Sequence, residues 1–296
     1  MAKPESAVGL AWEVSREGPS HLRLAVRRFL RHRPAVFAGC VILTFALAAV
    51  LAPAIAAHDP LDMSAGPRLA PPSLSNWLGT DEFGRDILSR VIYGARIAFV
   101  VGVGAAAAAA AAGSLIGLLG GYLGGWVDRV VTGFIDLVFA FPTILLAIAV
   151  AVVLSPSMQT VIVALSFVQT PHFARVLRGA TLAVKVQAYV EAARSLGASD
   201  WRIVLRHVLP NVMAPLIVQF ALSFSYAVLA ESSLSFLGVG NPPPAPSWGA
   251  MLSGAYGYVE RAPWAAIFPG AAITLAILGF NLMGDGLRDL LDPTRR

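Results

Sequence analysis

IAFVVGVGAAAAAAAAGSLIGLLGGYLGGWV, residues 97–127, runs for 31 positions without an Asp, Glu, Lys or Arg, from Arg96 to Asp128. A surface helix of a soluble domain keeps a charged face, whereas a helix crossing a hydrocarbon core of about 30 Å needs about 20 such residues. The stretch therefore reads as a membrane span. Its alanine block, residues 105–112, is low complexity, but Gly113, Gly117, Gly121 and Gly125 then recur every fourth residue. That spacing lays them along one face where two helix backbones can approach closely.

Working outward, further charge-free runs cover residues 35–57, 137–174, 208–230 and 262–284. The run 137–174 would be about 57 Å long as one helix, nearly twice the core thickness, and Ser155-Pro156-Ser157 marks a turn near its middle. Phe141-Pro142 places a kink or an N-terminal proline at the start of this region. Residues 232–259 are also uncharged, but NPPPAP (241–246) removes backbone donors and cannot continue a helix. The expected fold is an all-α integral membrane protein with six transmembrane helices, at about 35–57, 97–119, 137–154, 158–174, 211–231 and 262–284. The N-terminal segment 1–34, a loop 175–210 and a tail 285–296 complete the chain.

Composition agrees: the chain is 57% hydrophobic and 13% charged, with a mean hydropathy of +0.70. That is more apolar residue than a soluble fold can bury. Lys and Arg concentrate on one side of the expected spans, with 17 of 22 in residues 1–34, 129, 175–207 and 285–296. The positive-inside bias puts both termini in the cytoplasm. The net charge of +5 then meets anionic lipid headgroups and needs no nucleic acid. The basic N-terminal region is long and the apolar run after it is span length, so the first helix reads as retained rather than cleaved. Cys40 has no partner cysteine and reads as a packing residue.

Several chemistries are absent from the sequence. The runs hold no Asp, Glu, Lys or Arg with which to couple transport to protons or sodium, since Asp128, Asp136 and Glu231 stand at their edges. Lys3 and Lys185 lack the glycines of a P-loop, and no HExxH, CxxC or GxSxG occurs. His58 and His172 are isolated, with no set of metal ligands around them. If the chain moves solute, the energy comes from elsewhere.

The charged island YVEAARSLGASDWRIVLRHVLPN (189–211) lies between the fourth and fifth expected spans. Residues 186–196 are rich in helix formers, and Tyr189, Ala192, Ala193 and Leu196 share a face. Gly197 is placed for a left-handed C-cap, Ser199 or Asp200 for an N-cap, and a second helix runs from 201 to 209 until Pro210 bends the chain into the next span. Such an elbow at a membrane surface lies in the interface or docks into a groove of another protein.

This island resembles the EAA loop of ABC importer permeases, whose pattern is Glu-Ala-Ala, three residues, Gly, nine residues, Ile, one residue, Leu-Pro. Glu191, Ala192, Ala193, Gly197, Leu209 and Pro210 match in register, and His207 stands where the pattern has isoleucine. LGTDEFGRDILSRVIYGARIA (78–98), GGYLGGWVDRVVTGFIDLVFAFP (120–142) and ESSLSFLGVGNPPPAPSWGAML (231–252) resemble the C-type permease subunit of dipeptide and oligopeptide importers. The resemblance implies a partnership with a homologous B-type permease, two ATPase subunits or one fused ATPase, and an extracytoplasmic solute-binding protein. It places ATP and Mg on the ATPase subunits, with no cofactor, metal or catalytic residue in this chain.

In such a subunit the loop docks on the ATPase through Glu191, Ala192, Ala193, Arg194, Gly197, Asp200, Leu209 and Pro210. The implied cargo is a di- or oligopeptide, with nickel or another small solute as the alternative. Outside the family the alternatives are a secondary transporter or a structural membrane subunit. Glu231, Ser232, Ser235 and Phe236 form a candidate outer gate. Asp81, Glu82, Arg85 and Asp86 are mixed charges on the outer side, a candidate contact for the binding protein.

Overall fold

The computed structural model describes residues 32–291, so the arginines at 23, 27, 28 and 31 and the end of the tail lie outside the described residues. Helix α1 (Arg33–Ile55) starts at His32, whose Nδ1 accepts from the amide of Ala35 at 3.3 Å. All four of its buried residues are alanines, Ala35, Ala38, Ala49 and Ala52, so the helix rests closely on its neighbours and leaves Val50 and Leu43 exposed. Helix α2 (Ile87–Leu123) has 37 residues, about 55 Å at 1.5 Å per residue, and outruns the hydrocarbon core. It begins ten residues before the charge-free run because its first turns are anchored by polar groups. Asp86 caps it by accepting from the Ser89 amide at 2.8 Å, and Arg90 Nη1 donates to Pro60 O at 2.9 Å.

Gly124 and Gly125, with φ of +69° and +57°, end α2 and open α3 (Gly125–Phe139). An 89° bend at Phe141-Pro142 separates α3 from α4 (Thr143–Val153). Neither helix alone is long enough to cross; together they make the sixth candidate span beside five long helices. Helix α5 (Met158–Val184) is capped by Ser157, which accepts from the Thr160 amide at 3.1 Å. It runs ten residues past the apolar stretch because its late cations are paired with α3. Arg178 grips Asp128 through Nε and Nη2 at 2.5 and 2.7 Å, and Arg175 reaches Asp136 at 3.3 Å.

The elbow helices α6 (Ala188–Ser195) and α7 (Asp200–Ile203) follow, and then α8 (Met213–Phe236). The proline-rich stretch leads into α9 (Trp248–Ala255), a short helix tucked against α8 and α10 (Trp264–Leu291) rather than a span. Buried Trp248 of α9 donates from Nε1 to Val91 O at 2.9 Å. The described residues form no strand, only an isolated bridge between Thr80 and Asp86.

The most extensive helix pairing is α2 against α5, and its cause is the glycine stripe. A Cβ on Gly113 would lie 2.5 Å from Thr170 O, one on Gly121 2.9 Å from Arg178 O, and one on Gly117 would collide with Ala174 O. Gly125 does not belong to this seam: its Cβ position has no neighbour within 4 Å. The four-residue period ends with α2 at Leu123, and Gly125 supplies a backbone angle instead of a contact.

Gly117→Leu should overpack the seam, costing about 1–3 kcal/mol and lowering the thermal midpoint of the purified protein. Gly133→Ala in α3, where a Cβ meets nothing within 4 Å, should hold or raise it, because alanine favours the helix by about 1 kcal/mol. Asp86→Ala removes the cap of α2 and should cost about 1–2 kcal/mol, read in the same thermal assay.

Candidate functional site

The elbow is rooted by its apolar side. Val190 from α6 and Ile203, Val208 and Val212 beyond it are fully buried against Leu118 and Tyr122 of α2 and Leu177 of α5. The face shared by Tyr189, Ala192 and Leu196 points outward instead; the root alternates with it at Val190 and Ala193. At the vertex Gly197 has φ +79°, the Ala198 amide donates to Ala193 O at 3.1 Å and the Gly197 amide to Arg194 O at 3.0 Å. These two bonds close α6 with a left-handed glycine cap.

The second arm departs from the simple capped helix that the sequence implies. Ser199 makes no side-chain capping bond, and the Asp200 carboxylate leaves its own helix to accept from the Tyr122 hydroxyl at 2.6 Å. Nor does Pro210 stop the chain. A π turn (Val204–Val208) and a 3-10 turn (Leu209–Val212) carry an unbroken helical path from Asp200 to Phe236. The wider turn accommodates the missing proline N–H, and Asn211 Nδ2 donates to His207 O at 2.7 Å.

Of the expected docking residues, Glu191, Ala192, Arg194, Gly197, Asp200 and Pro210 are exposed, while Ala193 and Leu209 are half-buried in the root. The elbow also carries exposed apolar side chains: Leu196 is 88% exposed and Trp201 65%, and Val186, Tyr189 and Leu205 are exposed too. Arg202 and Arg206, next in sequence to Trp201 and Leu205, are likewise exposed. Glu191 sits in the first turn of α6 and Arg194 in the last, each complementing the helix dipole. The Arg194 guanidinium is held above its ordinary pKa, first by the Tyr122 hydroxyl. Tyr122 and Lys185, whose Nζ donates to Gly121 O at 2.6 Å, are contributors that the sequence hides, one inside an apolar run and one in a loop.

On the other side of the membrane the structure moves the mixed charges inward. Asp81 accepts from Arg85 Nε at 2.6 Å and from the amides of Phe83 and Arg85. Arg90 Nε stands 3.6 Å from the same carboxylate. Asp86, 1% exposed, accepts from Asn76 Nδ2 and from Ser89. Glu82 keeps some exposure and accepts a short hydrogen bond from Tyr258. Burial, and then that bond, raise the Tyr258 phenol pKa. Asp81, Arg85 and Asp86 are therefore buried rather than a solvated face, and of the four only Glu82 keeps part of its surface. Asp81, Arg85 and Asp86 are consumed in fastening the outer loop to α2, because a buried charge persists only when paired.

Glu231 is 2% exposed and accepts from Ser235 Oγ at 2.8 Å and, at the long limit, from Ser232 Oγ at 3.5 Å, while Ser235 also receives the Asn241 amide at 3.3 Å. Ser232, itself buried, and the exposed Phe236 line a groove of about 520 Å³ between α8, α9 and α10.

Residues 112–296 match the family described as binding-protein-dependent transport system inner membrane component, and residues 20–72 the N-terminal transmembrane domain of oligopeptide transport permease C. The dipeptide transport system permease protein DppC of Alkalihalophilus pseudofirmus is 41% identical over 271 residues, covering 92% of this chain and 89% of that protein. The glutathione transport system permease protein GsiD of Shigella flexneri is 47% identical over 268 residues, 90% of this chain and 88% of that one. A solved structure of the MetNI methionine ABC transporter in an inward-facing conformation contains a chain of similar fold, with a TM-score of 0.53 and 19% identity over 70% of this chain and 94% of that one. With the all-helical bundle and its elbow in place, these matches make the chain a member of the binding-protein-dependent transport system inner membrane component family, a C-type permease subunit of an ABC importer.

Proposed function

We propose that the chain pairs with a homologous B-type permease to form the path by which di- or oligopeptides cross the cytoplasmic membrane, delivered by an extracytoplasmic solute-binding protein. ATP and Mg are handled by separate ATPase subunits, and the elbow α6–α7 is the docking element for them. The peptide reading is supported by relatives that carry dipeptide and glutathione in their names. The orientation, with both termini and the elbow in the cytoplasm, is supported by the Lys and Arg distribution.

The observation that carries the docking assignment is the contrast between the elbow's two faces. One is sealed against α2 and α5, whereas the other presents Leu196, Trp201 and Leu205 to solvent, with Arg202 and Arg206 next to the latter two in sequence. An exposed apolar patch with a polar rim marks an interaction surface. A rigid element held between a motor and a bundle can convert closure of the motor into a change of access, provided nucleotide binding favours one arrangement. Ser232 and Phe236, on the open groove, are the better gate candidates. Glu231 and Ser235 are better suited to hold α8 against the loop that follows it.

Glu191→Lys and Gly197→Val should both leave the chain inserted in the membrane. Each should reduce ATP-driven dipeptide uptake by reconstituted vesicles about tenfold, equivalent to about 1.4 kcal/mol lost at the docking surface. Uptake and dipeptide-stimulated ATP hydrolysis at wild-type levels in both variants would reject the docking role. A binding protein that takes nickel and ignores dipeptides would reject the cargo.

A further inference from the structure

The last turn of α2 is held from both sides of the Gly197 break. Ahead of the elbow, Lys185 Nζ bonds the carbonyl of Gly121. Beyond the break, the adjacent residue Tyr122 donates its hydroxyl proton to Asp200 Oδ1 at 2.6 Å, joining positions 78 residues apart. Arg194 Nη2, from the first arm, lies 3.5 Å from the same hydroxyl oxygen, at the long limit of a hydrogen bond, with its guanidinium 5.9 Å from the ring centroid.

One side chain of a membrane-spanning helix thus touches both arms of the elbow, while its ring packs in the cluster of Val190, Ile203 and Val208. The vertex itself is open, with no atom within 4 Å of the Gly197 Cβ position. A hydroxyl donating to a carboxylate is among the stronger hydrogen bonds, and a bond between a span and a loop closes a mechanical ring rather than a local turn.

We infer that Tyr122 is a positioning residue of the coupling step: its hydroxyl fixes the angle between α6 and α7 and passes displacement of the elbow to α2. From there the glycine seam delivers the displacement to α5. The inference rests on the docking role proposed above for the elbow.

The test uses the complete assembly, with spin labels at Leu119 on α2 and Ser195 at the end of α6, compared without nucleotide and with nucleotide trapped. Wild type should keep one narrow distance distribution in both states. Tyr122→Phe, which keeps the ring, and Asp200→Ala, which removes the acceptor on the exposed arm, should each broaden or shift it on trapping. The double variant should go no further than either single one. In the same variants, solute imported per ATP hydrolysed should fall about tenfold, the scale of a lost hydrogen bond to a charged group.

A purely structural role would lower the yield of assembled complex and leave both the distribution and the ratio at wild-type values; that result overturns the inference. Should Tyr122→Phe fail to assemble, Asp200→Ala decides. If Glu191→Lys and Gly197→Val abolish coupling while the Tyr122 and Asp200 variants behave as wild type, the inference alone fails. If all four leave uptake intact, the docking reading fails with it.

Discussion

Backbone contact between α2 and α5, made where Gly113, Gly117 and Gly121 meet Thr170, Ala174 and Arg178, sets the geometry of the whole bundle. Apolar helices gain nothing from hydrophobic burial when lipid is the alternative, so they associate through close packing and polar contacts, and small residues permit both. The seam runs to the elbow end of both helices. There it places Tyr122 and Leu118 beside Leu177 and creates the apolar socket in which the elbow is rooted. Remove the close approach and the socket separates along with it.

Charge is distributed according to the same logic. At the end opposite the elbow, Arg85 and Arg90 are folded in beside Asp81 and the loop backbone, and Asp86 beside Asn76 and Ser89. They spend their polarity on holding a loop of irregular backbone against the helix it precedes. On the elbow side, Asp128 and Arg178 join α3 to α5 at the membrane edge, whereas Arg202 and Arg206 have been left facing outward. The molecule is internally finished at its outer cluster and unfinished at the elbow. That asymmetry is the physical content of calling it a subunit.

Much of this was readable in the residues. Charge-free runs point to the five long helices but not to α3, whose Asp128, Arg129 and Asp136 lie outside them, nor to the 89° bend that breaks the expected span 137–154. Gly197 gives the left-handed cap, and the spacing of Gly113, Gly117 and Gly121 gives the seam. The failures share a cause: a residue count sees charge but not its partner. Arg90 lets α2 begin early, and Arg175 and Arg178 let α5 run late, because each is paired with something distant in sequence. Asp81 and Arg85 looked like surface although they pair with each other only four residues apart, because a mixed-charge run does not announce its burial. Gly125 continued a period that its helix did not, and Pro210 failed to break a path that a wider turn could absorb. Tyr122 was invisible as a polar residue inside an apolar run, its partner lying 78 positions away.

The central claim is that the outward face of the elbow is a seat for a nucleotide-hydrolysing subunit. An experimental structure of the intact transporter tests it most directly, through the solvent exposure of Leu196 and Trp201. The account predicts that both side chains lose most of their exposure against an ATPase subunit, with Val190 and Ile203 still buried against α2. An assembled complex in which Leu196 and Trp201 face water or lipid, with the ATPase seated elsewhere, would contradict it.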